Sequence, residues 1–289
     1  MTFDELLDNL WAFDAEIFAH DSLFVFIKYR TKEKKVFHNC PRNDLQEWLD
    51  KERPILMGYN ANSYDKYILK GWLAGFSPEE LKKLNDYIIE GGNGWEFDYG
   101  EEYVELPYIW DLMGCIKTFK SLKELEGNLR LSITETTVPF DLPTKWNEQQ
   151  KEEVIYYCTK DVEALFPIFD ILMTKYKSKY IIAKLGNIEP AYALSMTDAN
   201  LTATLLKAKK KTHKDNFAYV YPKQIDKSKI PKEVLNYIDD LIAHNDLEYK
   251  VKAPSVKIDD CIIQLGVGGI HGAKETTFIY SEGVDFTCE

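Results

Sequence analysis

LWAFDAEIFAHDSLFVFIKYR, residues 10–30, is aromatic and β-branched along its length and is interrupted only at residues 19–22. That is the pattern of two strands joined by a tight turn. Outward from this hairpin, residues 42–51 (RNDLQEWLDK) have helical spacing. Pro54 then breaks the chain, and ILMGY is a short apolar run of the length of a buried strand. Residues 64–73 (YDKYILKGWL) read as a helix. Ser77-Pro78-Glu79-Glu80 places a cap, a first-turn proline and two acids ahead of a further helix. Residues 91–105 are glycine-rich and acidic, the mark of an exposed excursion, and the apolar PYIWDLM after them reads as a strand. Helical patterns resume at SLKELEG and from residue 147 to about 180, with a break expected near Asp161. Strands alternating with helices imply an α/β fold, a mixed sheet flanked by helices.

Past residue 185 the composition shifts to a smaller α+β segment. KAKKKTHK is a basic run, PKQIDKSKIPKE is punctuated by lysine and proline, and the stretch from residue 250 alternates like an antiparallel sheet. Two domains are expected, 1–185 and 186–289. The glycine-dense run 266–272 lacks the Lys-Ser/Thr of a nucleotide loop and reads as strand geometry.

The 289 residues are 45% apolar, enough for a sizeable core, and carry a net charge of −11, which excludes a binder that holds a polyanion by charge alone. No run approaches 18 apolar residues, and three acids stand among the first ten residues, so a cytoplasmic protein without a membrane span is expected. Five cysteines occur singly, with no pair spaced for zinc, and Cys115 and Cys158 sit in apolar runs as ordinary small hydrophobes. Any metal would have to be held by oxygen ligands.

Asp14-Ala15-Glu16 stands out among the Asp-x-Glu pairs because residues i and i+2 of a strand face the same side, here within an apolar segment. Two such carboxylates repel unless they share a proton or a divalent cation. The same pair would also suit the solvated face of an edge strand. Asp65 opens a helix directly after ILMGYN, at a strand-to-helix junction where α/β sheets place ligands and where aspartate also complements a helix dipole. Tyr157 and Asp161 are four residues apart and share one helix face.

Together, FDAEIF, GYNANSYDKYIL and YYCTKDVEAL, in this order, resemble the three exonuclease motifs of the tyrosine-bearing DEDD superfamily, most closely the proofreading region of phage-type family B DNA polymerases. The resemblance implies an RNase H-like 3′-to-5′ exonuclease acting on single-stranded or frayed DNA, with a tail similar to the start of a polymerase palm. It makes Asp14, Glu16, Asp65 and Asp161 the ligands of two Mg²⁺ or Mn²⁺ ions and Tyr157 the residue that orients the attacking water. Asn60, Asn62 and Tyr64 would hold the 3′ end and Lys123 would approach a phosphate, although Tyr64 equally suits core packing and Lys123 a solvated helix. Asp111, at a strand end near the presumed site, is not expected to bind metal. The segment CIIQLGVGGIHGAKE and GVDFT carries the palm likeness. Only one palm acid, Asp285, is present, and no Asp-Thr-Asp follows, so the chain is not expected to polymerise DNA alone. The expected partners are DNA and a second polypeptide bearing the remaining polymerase parts. A free-standing exoribonuclease and a noncatalytic assembly fragment are the alternative readings.

Overall fold

A computed structural model describes residues 1–100, 103–116, 120–208, 219–221, 223–244, 253–258, 261–266 and 269–274. It divides into two compact units, Met1–Lys209 and Lys210–Glu289. The first unit therefore runs beyond the boundary expected at 185.

In the first unit the expected hairpin is β1 (Leu10–Ile17) and β2 (Ser22–Lys28), antiparallel, with Asp14 opposite Val25 and Glu16 opposite Leu23. A third strand, β3 (Lys34–His38), extends it antiparallel to β2; its exposed lysines hide the apolar alternation that would have marked it in the sequence. On the other side of β1 come β4 (Ile55–Gly58) and β5 (Ile109–Asp111), both parallel. The order is β3-β2-β1-β4-β5. β1 is thus the central strand, which overturns the edge-strand reading of its two acids.

The helices supply the layers. α1 (Phe3–Asp8), short and unmarked by periodicity, is closed by a capping box between Thr2 and Glu5. α2 (Arg42–Glu52), α3 (Asp65–Leu73) and α4 (Pro78–Ile89) follow, the last capped by Ser77 with Glu80 returning the bond and Pro78 in its first turn, as the sequence predicts. α5 (Leu122–Asn128) and α6 (Glu148–Leu185) are capped in the same way by Ser121 and Asn147. The break expected near Asp161 is absent: α6 runs through it, because Tyr157, Cys158, Asp161, Val162 and Leu165 are all buried along one stripe and tertiary packing overrides the weak helix propensity of a single aspartate. α7 (Pro190–Ser195) packs on α6 and β5, and α8 (Asp198–Leu205) on α6, which is why the unit extends past 185. The indole of Trp110 ties β5 to α7 by donating to the Ala191 carbonyl at 3.1 Å.

Two cores lie on opposite faces of the sheet. Trp11, Phe13, Ala15, Ile17, Phe24 and Phe26 pack in one with α2, α3 and α4, and Leu10, Ala12, Leu23, Val25 and Ile27 in the other with α6. The excursion at 91–105 is only partly exposed: Trp95 and Tyr103 face solvent, but Tyr99 is buried and its hydroxyl donates to the Gly94 carbonyl at 2.7 Å.

The second unit holds α9 (Lys232–His244) and the antiparallel strands β6 (Ser255–Ile258), β7 (Cys261–Gly266) and β8 (Gly269–Lys274), in the order β6-β7-β8, with Gly266 opposite Gly269. The antiparallel sheet expected from residue 250 onward is found there. The palm-like ending with Asp285, and most of the basic run KAKKKTHK, lie outside the described residues. Among the described residues, no helix is long and apolar enough to cross a membrane.

Candidate metal centre

The site is built on the α6-facing side of β1. Alternation along the strand puts Asp14 and Glu16 on the face of Leu10 and Ala12, so two acids end an apolar row under a helix. Ligand atoms of Asp14, Glu16 and Cys158 all lie within 4.8 Å of one another. The third and fourth acids come from separate elements. Asp65 is the first residue of α3 and is 3% exposed, and Asp161, on α6, is buried below the sheet.

The turn that delivers Asp65 is tightly specified. A Cβ on Gly58 would come within 2.7 Å of the Ala61 Cβ and 3.2 Å of the Phe13 ring, so the end of β4 must be glycine. Asn60 follows with φ +57°, a left-handed conformation that asparagine tolerates. Asp111, at the end of β5, accepts from the backbone N–H groups of Asn60, Asn62 and Met113, each at 3.0 Å. It is therefore a brace for the turn. What the sequence did not show is that it holds this turn.

Electrostatics mark the cluster as strained. Burial pushes the Asp14 carboxyl well above the usual range, and the charges of Asp65, Glu16 and Asp161 add to the effect. Glu16 is raised in the same way, by burial and then by Asp161 and Asp65, with the Lys123 ammonium opposing. Burial raises Asp65 to about 7, and its Oδ1 has no hydrogen-bond partner. Asp161 is also raised by burial, while the Lys123 ammonium and, less so, the Tyr157 phenol pull it down. A buried carboxylate oxygen without a donor costs free energy unless a cation meets it. Carboxylates are hard oxygen donors of the kind Mg²⁺ or Mn²⁺ takes, and Asp14 and Glu16, whose ligand atoms lie within 4.8 Å of one another, with Asp65 and Asp161 near enough to add their charge, are residues that fit such an ion.

Tyr157 is buried beside the acids and its phenol is pushed upward by burial and by the charges of Glu16, Asp161 and Asp14, so it keeps its proton. Asn60, Asn62 and Tyr64 line a cavity of about 540 Å³ with Tyr67 and Trp95. Tyr64 also borders a second cavity, of about 380 Å³, whose wall includes Glu16. Its hydroxyl is not free: it donates to Asn85 Oδ1 at 2.5 Å, and α3 starts at the next residue. Lys123 is not simply solvated either. Its ammonium donates to Asp161 Oδ1 at 2.5 Å and to the Thr134 carbonyl at 3.0 Å, and sits 5.1 Å from the centre of the Tyr157 ring.

Two residues that sequence reasoning passed over belong here. Cys158 is no mere hydrophobe: its thiol lies 3.7 Å from Asp14 Oδ2, and burial with the neighbouring acids raises it well above its ordinary value, so it stays protonated and a poor metal ligand. Its place directly after Tyr157, three residues before Asp161, was the available signal. Glu126, on α5, is 2% exposed, and its Oε2 lies 3.4 Å from the Lys123 ammonium. Set against models of known protein families and against curated proteins, the chain matches none.

Proposed function

We propose that the chain is a metal-dependent 3′-to-5′ exonuclease acting on single-stranded or frayed DNA ends, with an RNase H-like domain at residues 1–209. The observation that carries this reading is that Asp14, Glu16, Asp65 and Asp161, from three separate segments, lie close enough for the charges of the others to raise Asp14 and Glu16, with Asp65 Oδ1 lacking any hydrogen-bond partner. The mixed sheet with the first acid pair on its central strand supports it.

Mg²⁺ or Mn²⁺ ions held by the four carboxylates would supply the positive charge that lets an anionic phosphodiester accept a nucleophile and release its leaving oxygen. The chain's own residues do the rest. Tyr157 remains a phenol at neutral pH, so it acts as a hydrogen-bond donor or acceptor that orients a water rather than as a base. The cavity bordered by Asn60, Asn62 and Tyr64 offers amides for phosphates and bases, and aromatic faces for stacking, a sequence-tolerant way to hold a strand end. Asp111 braces that wall by accepting from the backbone N–H groups of Asn60 and Asn62.

The test is digestion of 5′-labelled single-stranded DNA, paired and 3′-mismatched duplexes, and RNA of the same sequence. Stepwise shortening from the 3′ end of unpaired DNA, requiring Mg²⁺ or Mn²⁺ and abolished by a chelator, is expected. Absence of metal-dependent shortening would overturn the reading, and faster shortening of RNA would reassign the substrate.

A further inference from the structure

Lys123 stands between two carboxylates. Its Nζ is 2.5 Å from Asp161 Oδ1 and 3.4 Å from Glu126 Oε2, one turn along α5. The two acids differ in what else satisfies them. Asp161 belongs to the four-acid cluster, where a divalent ion would take it over. Glu126 is outside that cluster, is 2% exposed, and its Oε2 makes no hydrogen bond. Burial raises its carboxyl, with only the Lys123 ammonium opposing. A buried carboxylate whose one nearby cation sits at 3.4 Å, while that cation is held at 2.5 Å by another acid, is a loosely satisfied arrangement. Glu135 is the other acid in range of Lys123, but it is exposed and already solvated.

We propose that Lys123 is a displaceable internal counter-ion: in the metal-free protein it neutralises Asp161, and when a divalent cation binds it shifts fully onto Glu126, whose buried oxygen, 3.4 Å away, is the built-in second acceptor. This rests on the two-metal reading of the acidic cluster. The ammonium and the divalent ion cannot both hold Asp161 at short range, so the lysine competes with the metal. The cost of evicting it falls when a second buried carboxylate receives it. Glu126 is on this account a positioning residue: it never touches metal or substrate, and it sets metal affinity by drawing the lysine away.

The test is Mn²⁺ binding by isothermal titration to the full chain, comparing the wild type with Lys123→Met, Glu126→Gln and the double variant. Lys123→Met is expected to bind Mn²⁺ about tenfold more tightly and Glu126→Gln about tenfold more weakly, while in the Lys123→Met background Glu126→Gln changes affinity less than about twofold. Equal weakening by Glu126→Gln in both backgrounds would show a bystander charge and overturn the proposal, as would no effect in the wild type. A second readout needs no variant. Crystals of the wild type grown with Mn²⁺ should show Lys123 Nζ released from Asp161 and seated on Glu126; Lys123 still on Asp161 beside bound metal overturns it. A wild type that binds no Mn²⁺ at all sinks the two-metal reading itself, whereas an additive cycle with normal binding sinks only the hand-off.

Discussion

The two faces of the five-stranded sheet are made by alternate residues of the same strands, yet they solve opposite problems. Phe13 packs in parallel against Phe26 at 5.8 Å between ring centres, in a core completed by Trp11, Trp48 and Phe24 under α2, α3 and α4. One residue on, Asp14 faces α6 among acids that raise one another's proton affinity. The first face gains stability from every group it buries. The second face gives stability up, because each buried carboxylate lacks its solvent and repels its neighbours. A fold that tolerates such a face must recover the loss from a bound cation or from the opposite core.

The comparison breaks most sharply in activity. On the proposed reading, Asp14→Asn or Asp161→Ala should reduce metal-dependent DNA shortening on the order of 10⁴-fold with an unchanged circular dichroism spectrum, since each would remove a metal ligand. Wild-type rates in either variant would remove the acidic face from the reaction. Phe13→Ala should instead lower folding stability by about 3–5 kcal/mol in denaturant titrations, from lost burial and a cavity. Asp14→Asn should raise the metal-free melting temperature at pH 8. Adjacent residues therefore have opposite signs, and a metal-free Asp14→Asn protein that melts lower than the wild type would refute the strain.

The pH dependence sharpens the same contrast. Asp65, raised to about 7 in the folded chain against roughly 3.9 unfolded, keeps its proton when the unfolded state has already lost it. Its contribution to metal-free stability is complete below pH 4 and is lost as pH rises through 7, and the raised Asp14, Glu16 and Asp161 act in the same direction. Melting scans with a chelator should show this decline, and Mg²⁺ should raise the melting temperature more at pH 8 than at pH 5. An equal Mg²⁺ effect at both values would show that these protons are not the ones displaced. The smallest effect is expected at Tyr157, where Tyr157→Phe should slow shortening about tenfold in single-turnover assays while Mn²⁺ affinity holds, because only a water-orienting hydroxyl is lost. Loss as complete as in the aspartate variants would give Tyr157 a larger part.

Much of this was legible along the chain. The hairpin of β1 and β2, the cap at Ser77, and the alternation that sets Asp14 and Glu16 on one side all follow from local periodicity and capping chemistry, which act within a few residues. Residue spacing also paired Tyr157 with Asp161 on one stripe of a helix. β3 escaped because an exposed edge strand needs no apolar row, and the break expected in α6 failed because burial of its sheet-facing stripe outweighs the propensity of Asp161.

Other properties exist only between elements distant in sequence. That β1 is central rather than an edge, with Glu16 buried and Asp14 half-buried, depends on β4 pairing with it from across α2. That Asp111 braces the Asn60 turn, that Lys123 reaches Asp161, and that Cys158 meets Asp14 are facts of packing over tens to more than a hundred residues of separation. The physical reason is the range of the forces. Backbone sterics and periodicity are written in neighbouring residues, whereas desolvation and charge repulsion depend on which surfaces the finished fold brings together.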